Sequence, residues 1–405
     1  MNSLKIKLEK VHSIIRSDGL CRGSKRILAY FPRLFKRVGS GDVLFITGGI
    51  GDSAMYRCHH AAEELRRHGF KCAVTVTDNP FLLRYAGRFK IFVFHRTLYS
   101  DRIKKFTELI KKQNKEIIFE TDDLTFDPSY IKDMEYYRNA GSEERKIFEK
   151  GMSIEILTDP YVKICTTTTS YLADKLKEYG KKVFVTPNKL SDDDLKTADV
   201  ILSERKRVEE SNKNKIRSLA DARDDNIVRL GYFSGSKSHD KDFAAITEPL
   251  VKIMEKYPNV KLFLFGPIDV GDKFSKFRDR VRQFSYVPRE KHFANIASVD
   301  INLAPLEINN PFCESKSELK FFEAGILRVP TVTAATRTFR EAIGGGIDGF
   351  TAATGDEWFE KLEKLVADEN LRKTIGEKAR IKALKNYTTK NSHNEEYYNY
   401  LRSLL

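Results

Sequence analysis

The chain contains no apolar run approaching the roughly 18–20 residues that a membrane-spanning helix needs, so none is expected. Its opening, Met1 to Lys10, is polar and lacks the apolar centre of a secretory signal, which points to a cytoplasmic protein. Cysteines are few. Cys21, Cys58, Cys72, Cys165 and Cys313 are scattered with no C-x-x-C pair, a pattern that fits a reducing compartment and argues against structural zinc. Acidic residues are scarce in residues 1–40, where only Glu9 and Asp18 oppose Lys5, Lys7, Lys10, Arg16, Arg22, Lys25, Arg26, Arg33, Lys36 and Arg37. Beyond a repeated α/β theme, no internal repeat is visible.

What is present is a soluble globular composition, 41% hydrophobic and 32% charged, over 405 residues, long enough for two domains with separate interiors. The net charge is +14. In the basic arm, residues 1–40, apolar residues such as Leu4, Ile6, Leu8 and Val11 alternate with the cations, a pattern of amphipathic helices. Two readings stand for it: contact with an anionic membrane surface, peripheral on the inner face of the cell membrane, or a basic surface that steers anionic substrates and aids solubility. No nucleic-acid partner is expected, because no reading motif accompanies the charge.

Short apolar runs alternate with amphipathic helical stretches. Asp42 to Thr47, Cys72 to Thr77, Ile91 to Phe94, Ile117 to Phe119, Val162 to Cys165 and Val183 to Val185 read as strands of one parallel-sheet domain, residues 41–188. Residues 189–225 read as an exposed, charged helical connector. A second series follows in residues 226–385, with strands at Ile227 to Phe233, Val260 to Gly266, Phe284 to Pro288, Ile301 to Pro305 and Pro330 to Thr333. Helices are expected at Phe243 to Tyr257, Lys291 to Ala297 and Ser317 to Phe322, and residues 386–405 read as a last helix. The fold class is therefore α/β, with two doubly wound Rossmann-like domains.

The richest segment runs from Asn310 to Val332: a polar loop, a short helix carrying Lys316, Lys320 and Glu323, and a Gly-x-x-x-x-Pro exit into a strand. Lysines four apart share a helix face, and a helix N-terminus near Ser317 offers N–H groups to phosphate oxygens. This segment resembles the nucleotide-sugar motif of the group 1, retaining GT-B glycosyltransferases, written Glu-x7-Glu. The alternative is an ordinary amphipathic helix with solvated Lys–Glu pairs. On the resemblance, Glu323 binds the donor ribose; Ser315 occupies the position eight residues earlier where relatives carry the first Glu. The likeness extends from about Gly41 to Tyr387.

Three further patterns lie at strand ends. Gly48, Gly49 and Gly51 follow the first strand, with Tyr56 and Arg57 just beyond, and resemble that family's first loop facing phosphates or acceptor; a tight turn without ligand is the other reading. Glu120, Asp122 and Asp123 follow Ile117 to Phe119. They read as a loose metal-binding Asp-x-Asp, as a carboxylate pair for sugar hydroxyls or proton transfer, or as helix caps. His95 and Arg96 are similarly placed, with a structural histidine the commoner outcome. Gly235, Ser236, Lys237, His239 and Lys241 form a loop after Ile227 to Phe233. It resembles the family's diphosphate loop without its usual Arg, or else serves as a turn and helix cap.

Taken with the resemblance, the expectation is a glycosyltransferase of bacterial surface-polysaccharide type. The implied donor is a nucleotide-diphosphate sugar, transferred with retention to a glycan or lipid-linked acceptor across a cleft between the two domains. No cofactor and no obligatory metal are implied. Lys316, Lys320, Asp122 and Asp123 are the candidate catalytic residues. A nucleotide-sugar or glycan-binding scaffold without turnover is the alternative, as is a basic membrane- or nucleic-acid-binding protein.

Overall fold

The computed structural model describes residues 31–49, 51–214, 227–235, 240–285, 287 and 289–405. Most of the basic arm, part of the connector, and Ser236, Lys237 and His239 lie outside the described residues. Two compact units emerge. The first holds the described residues up to Lys189, Ser315–Ser317 and Ser392–Leu405; the second holds Leu190–Glu314 and Glu318–Asn391.

Six parallel strands form the sheet of the first unit: β1 (Val43–Thr47), β2 (Cys72–Val76), β3 (Ile91–His95), β4 (Glu116–Thr121), β5 (Ile164–Thr167) and β6 (Lys182–Val185), in the order β2-β1-β3-β4-β5-β6. Every residue of β1 and β3 is buried, as expected for central strands covered on both faces. The chain leaves β1 toward one edge and returns at β3 to build toward the other, so the order reverses between these two strands. That is where ligands lodge in open α/β sheets, outside the carboxyl ends. The terminal helix Glu395–Arg402 belongs to this unit, and its Tyr397, Tyr398 and Leu401 join Val43, Phe45 and Ile91 in one apolar core. Glu64 anchors that return, accepting hydrogen bonds from Lys189 Nζ at 2.7 Å, Ser392 Oγ at 2.6 Å and the Tyr398 hydroxyl.

The second unit repeats the plan with β7 (Val228–Phe233), β8 (Val260–Phe265), β9 (Val281–Phe284), β10 (Ile301–Ala304), β11 (Thr331–Ala334) and β12 (Phe350–Ala352), ordered β12-β11-β10-β7-β8-β9. Its order reverses between β7 and β10. The helix Leu319–Ile326 packs tightly on Glu369–Asn386 because small residues meet there: a Cβ on Gly325 would lie 3.0 Å from the Ala379 carbonyl oxygen. Phe322 stacks on Tyr387 at 4.7 Å between ring centres. No described helix is long and apolar enough to cross a membrane.

Several sequence expectations need correction. Lys316 precedes the helix Leu319–Ile326, so it does not share a helix face with Lys320. Asp192–Asn214, read as part of an exposed helical connector, is helical as expected but belongs to the second unit. Phe243 to Tyr257 is two helices, Asp240–Ala244 and Thr247–Lys256. The strand expected at Phe284 to Pro288 instead ends at Phe284, and β12 was not anticipated.

Candidate functional site

The carboxyl ends of β1, β3 and β4 bring together Gly48, Ser53, Arg57, His95, Arg96, Glu120, Asp122 and Asp123. Arg57 is 3% exposed and donates to Glu120 Oε1 (2.7 Å) and Oε2 (3.0 Å), to the Thr186 carbonyl (2.6 Å) and hydroxyl (2.8 Å), and to Asn188 Oδ1 (3.1 Å). Those bonds use all five N–H donors of a guanidinium. Burial alone lowers its pKa, but the Glu120 carboxylate outweighs burial and leaves it raised, so the ion pair persists. Arg57, expected in a phosphate or acceptor loop, therefore has no donor left for a ligand and ties the strand ends together. Glu120 is committed to the same pair and to Thr166 Oγ1, which removes it from an Asp-x-Asp metal motif. Tyr56 is also buried, edge-on to His60 at 4.9 Å.

Asp123 caps the short helical turn Leu124–Phe126, accepting from Thr125 N at 3.1 Å and Thr125 Oγ1 at 2.6 Å. This is the cap reading. Its other oxygen accepts from Arg96 Nη2, and Arg96 Nε donates to Asp122 Oδ1 at 2.7 Å. Asp122 Oδ2 accepts from Ser53 Oγ at 2.6 Å. Burial raises the Asp122 carboxyl pKa; Arg96 and the Ser53 hydroxyl overcome that and hold it well below the usual range. Ser53 Oγ also lies 2.9 Å from His95 Nε2. Because the single hydroxyl hydrogen goes to Asp122, His95 must donate from Nε2, leaving Nδ1 as a bare lone pair. Nδ1 has no partner among the described residues, and burial pushes the imidazole pKa down to about 4. His95 is thus neutral near pH 7.

Gly48 is glycine for a reason of packing: a Cβ there would lie 2.1 Å from the Arg96 carbonyl oxygen. Gly49 and Gly51 face open space, and Gly51 precedes the helical turn Asp52–Ala54.

In the second unit, Glu323 sits on Leu319–Ile326, 4% exposed. Its Oε2 lies 3.2 Å from His292 Nε2, and its Oε1 lies 3.6 Å from Arg289 Nη1. Arg289 also donates to Asp194 Oδ1 at 2.9 Å. Arg289 and His292 were missed from sequence; both lie on the helix Arg289–Ala297, and their separation by three positions, which shares a helix face, was the available signal. Lys320 Nζ lies 4.5 Å above the Tyr232 ring, while Asn302 Nδ2 pins the Lys320 carbonyl at 3.0 Å. In the first unit, Ser317 accepts from Asn188 Nδ2 at 3.0 Å and, like Lys316, lies outside the helix Leu319–Ile326; Ser315 is fully buried.

Gly235 follows β7 with open space around it, and Lys241 is exposed on Asp240–Ala244. Asp242, Glu307 and Cys313 place ligand atoms within 4.8 Å of one another. Asp242 Oδ1 already accepts from Glu307 N at 3.0 Å and Cys313 Sγ at 3.4 Å, so the cluster reads as a hydrogen-bonded knot between loops.

Residues 245–395 match the family model described as Glycosyl transferase-like. A search of curated proteins gives no match. Among solved structures, a glycosyltransferase from Rickettsia africae is similar with a TM-score of 0.60 at 14% identity, covering 90% of this chain and 99% of that one. Anabaena HepE in complex with UDP and glucose gives 0.58 at 12% identity, covering 90% and 100%. Sucrose-phosphate synthase from Thermosynechococcus elongatus gives 0.54 at 13%, covering 90% and 98%. At such identities the likeness is one of fold: two parallel-sheet Rossmann-like domains of the GT-B type.

Proposed function

We propose that this chain is a glycosyltransferase that moves a sugar from a nucleoside-diphosphate donor to an acceptor hydroxyl. The observation that carries this reading is the match of residues 245–395 to the Glycosyl transferase-like family, in a segment that presents Glu323 beside Arg289 and His292. HepE, of similar fold, is bound to UDP and glucose, and this supports a uridine nucleotide as the donor class. In the reaction the bond from the sugar to the diphosphate breaks, a bond to the acceptor oxygen forms, and the acceptor loses its proton. Glu323 accepts the ribose hydroxyls. Lys320 and the segment carrying Gly235, Ser236, Lys237, His239 and Lys241 offset charge growing on the leaving diphosphate, each well-placed donor contributing about 3 kcal/mol.

Transfer with retention, without an obligatory metal, to a glycan or lipid-linked acceptor in surface-polysaccharide synthesis completes the proposal. The basic arm would hold the chain at the inner face of the cell membrane. A scaffold that binds donor without turnover has one observation in its favour, the buried Ser315 where the resembled motif carries an acid.

Incubating the full chain with UDP-, GDP-, dTDP- and CMP-sugars, with and without EDTA, separates these readings. Release of free UDP from a UDP-sugar that persists in EDTA supports the enzyme. Tight UDP-sugar binding with no release supports the scaffold, and binding of none of the four classes overturns both.

A further inference from the structure

In the first unit, Arg96 ends the turn out of β3 with a positive φ of 45°, a conformation that costs a residue with a side chain conformational energy. The fold accommodates it by placing Gly48 against its carbonyl, where any Cβ would collide at 2.1 Å. This backbone aims the guanidinium at the carboxyl end of β4, where Asp122 holds Nε and Asp123 holds Nη2. Of the five N–H donors of an arginine, those two bonds leave three, and among the described residues none of the three has a partner. The side chain is 31% exposed, in a cluster whose other members are nearly closed: Asp122 at 13%, Asp123 at 6% and His95 at 1%. The cluster also sits where the strand order reverses, between β1 and β3.

We propose that Arg96 and Asp122 form a hydroxyl-recognising subsite that selects a neutral or cationic sugar and rejects an acidic one. An alcohol both accepts and donates a hydrogen bond. It can take an N–H from the fixed guanidinium and give its own hydrogen to a remaining lone pair of Asp122 Oδ1. The carboxylate of an acidic sugar cannot donate. It also meets a surplus of negative charge, because Arg57 and Glu120 cancel while Arg96 faces both Asp122 and Asp123. A purely structural clamp would need neither the open donors nor the exposure. The assignment of this subsite to the acceptor rests on the glycosyltransferase reading; the recognition chemistry does not.

The test is direct binding of three matched probes to the full chain by saturation-transfer NMR: methyl glucoside, methyl 2-amino-2-deoxyglucoside and methyl glucuronide. UDP binding is measured in parallel by calorimetry. The neutral and amino sugars should bind at least tenfold more tightly than the glucuronide. Arg96→Lys, which keeps the charge but loses the planar fork, should weaken the neutral sugar by about tenfold with UDP affinity unchanged. Equal or tighter glucuronide binding, unchanged sugar binding in Arg96→Lys, or binding of none of the three overturns the subsite. Failure of UDP alone to bind overturns the donor reading and leaves the sugar result standing. The wild-type comparison of the three probes needs no variant, so a poorly folded Arg96→Lys does not blunt it.

Discussion

Arg57 and Glu120 meet along two parallel hydrogen bonds of 2.7 and 3.0 Å, both residues almost fully enclosed at the carboxyl ends of the first sheet. Removing one partner strands the other as an unpaired buried charge. Arg57→Ala or Glu120→Ala should each cost about 3–5 kcal/mol of stability. The double replacement Arg57→Met with Glu120→Leu should cost less than the sum of the two, because no charge remains buried. Urea denaturation of the three variants checks this; additive losses would show that the pair itself is not the origin.

Gly48 and Gly49 adjoin in sequence but differ in surroundings. Gly48→Ala drives a methyl into the Arg96 carbonyl and should destabilise by about 1–3 kcal/mol, whereas Gly49→Ala points into open space and should change stability by less than about 1 kcal/mol. Thermal unfolding of the two variants side by side distinguishes them. Equal losses would mean that both glycines serve the turn's conformation.

How much of this was legible in the sequence varies with the range of the interactions involved. The buried run Val43–Thr47 announces a central strand by composition, and the two α/β series with it. By contrast β9, Val-Arg-Gln-Phe at the sheet edge with mostly exposed residues, carries no apolar signature, and β12 is only three residues long. Local patterns also placed Asp122, Asp123, His95 and Arg96 at strand ends. They could not reveal that Arg57 is consumed by Glu120 and Thr186, partners 63 and 129 positions away, which only the sheet brings together. The Lys316–Lys320 pairing failed because the helix begins at Leu319, three residues after Lys316, and i,i+4 spacing has no meaning outside a helix.

His95 sets a pH dependence whose sign is fixed. Burial holds its folded pKa near 4, below the ordinary value of 6.5, so the unfolded chain takes up the proton first as pH falls. The stability it contributes is complete above about pH 6.5 and is lost toward pH 4, a loss of about 3 kcal/mol. His95→Gln removes that titration. Unfolding free energies at intervals from pH 7 to 4 should fall more steeply for the wild type than for the variant; parallel curves would contradict the assignment.

On the proposed function, the second unit binds a nucleoside diphosphate through Glu323. A carboxylate that accepts ribose hydroxyls acts equally in the ground and transition states, so its removal weakens binding of the donor and of the free nucleotide alike. His292→Ala, which takes away the neighbour at 3.2 Å, should weaken UDP less than Glu323→Gln does. Calorimetric titration of UDP into the wild type and Glu323→Gln is the most direct test. Saturable binding is expected for the wild type, and at least tenfold weaker binding for Glu323→Gln. Equal UDP affinity in the two proteins would contradict it.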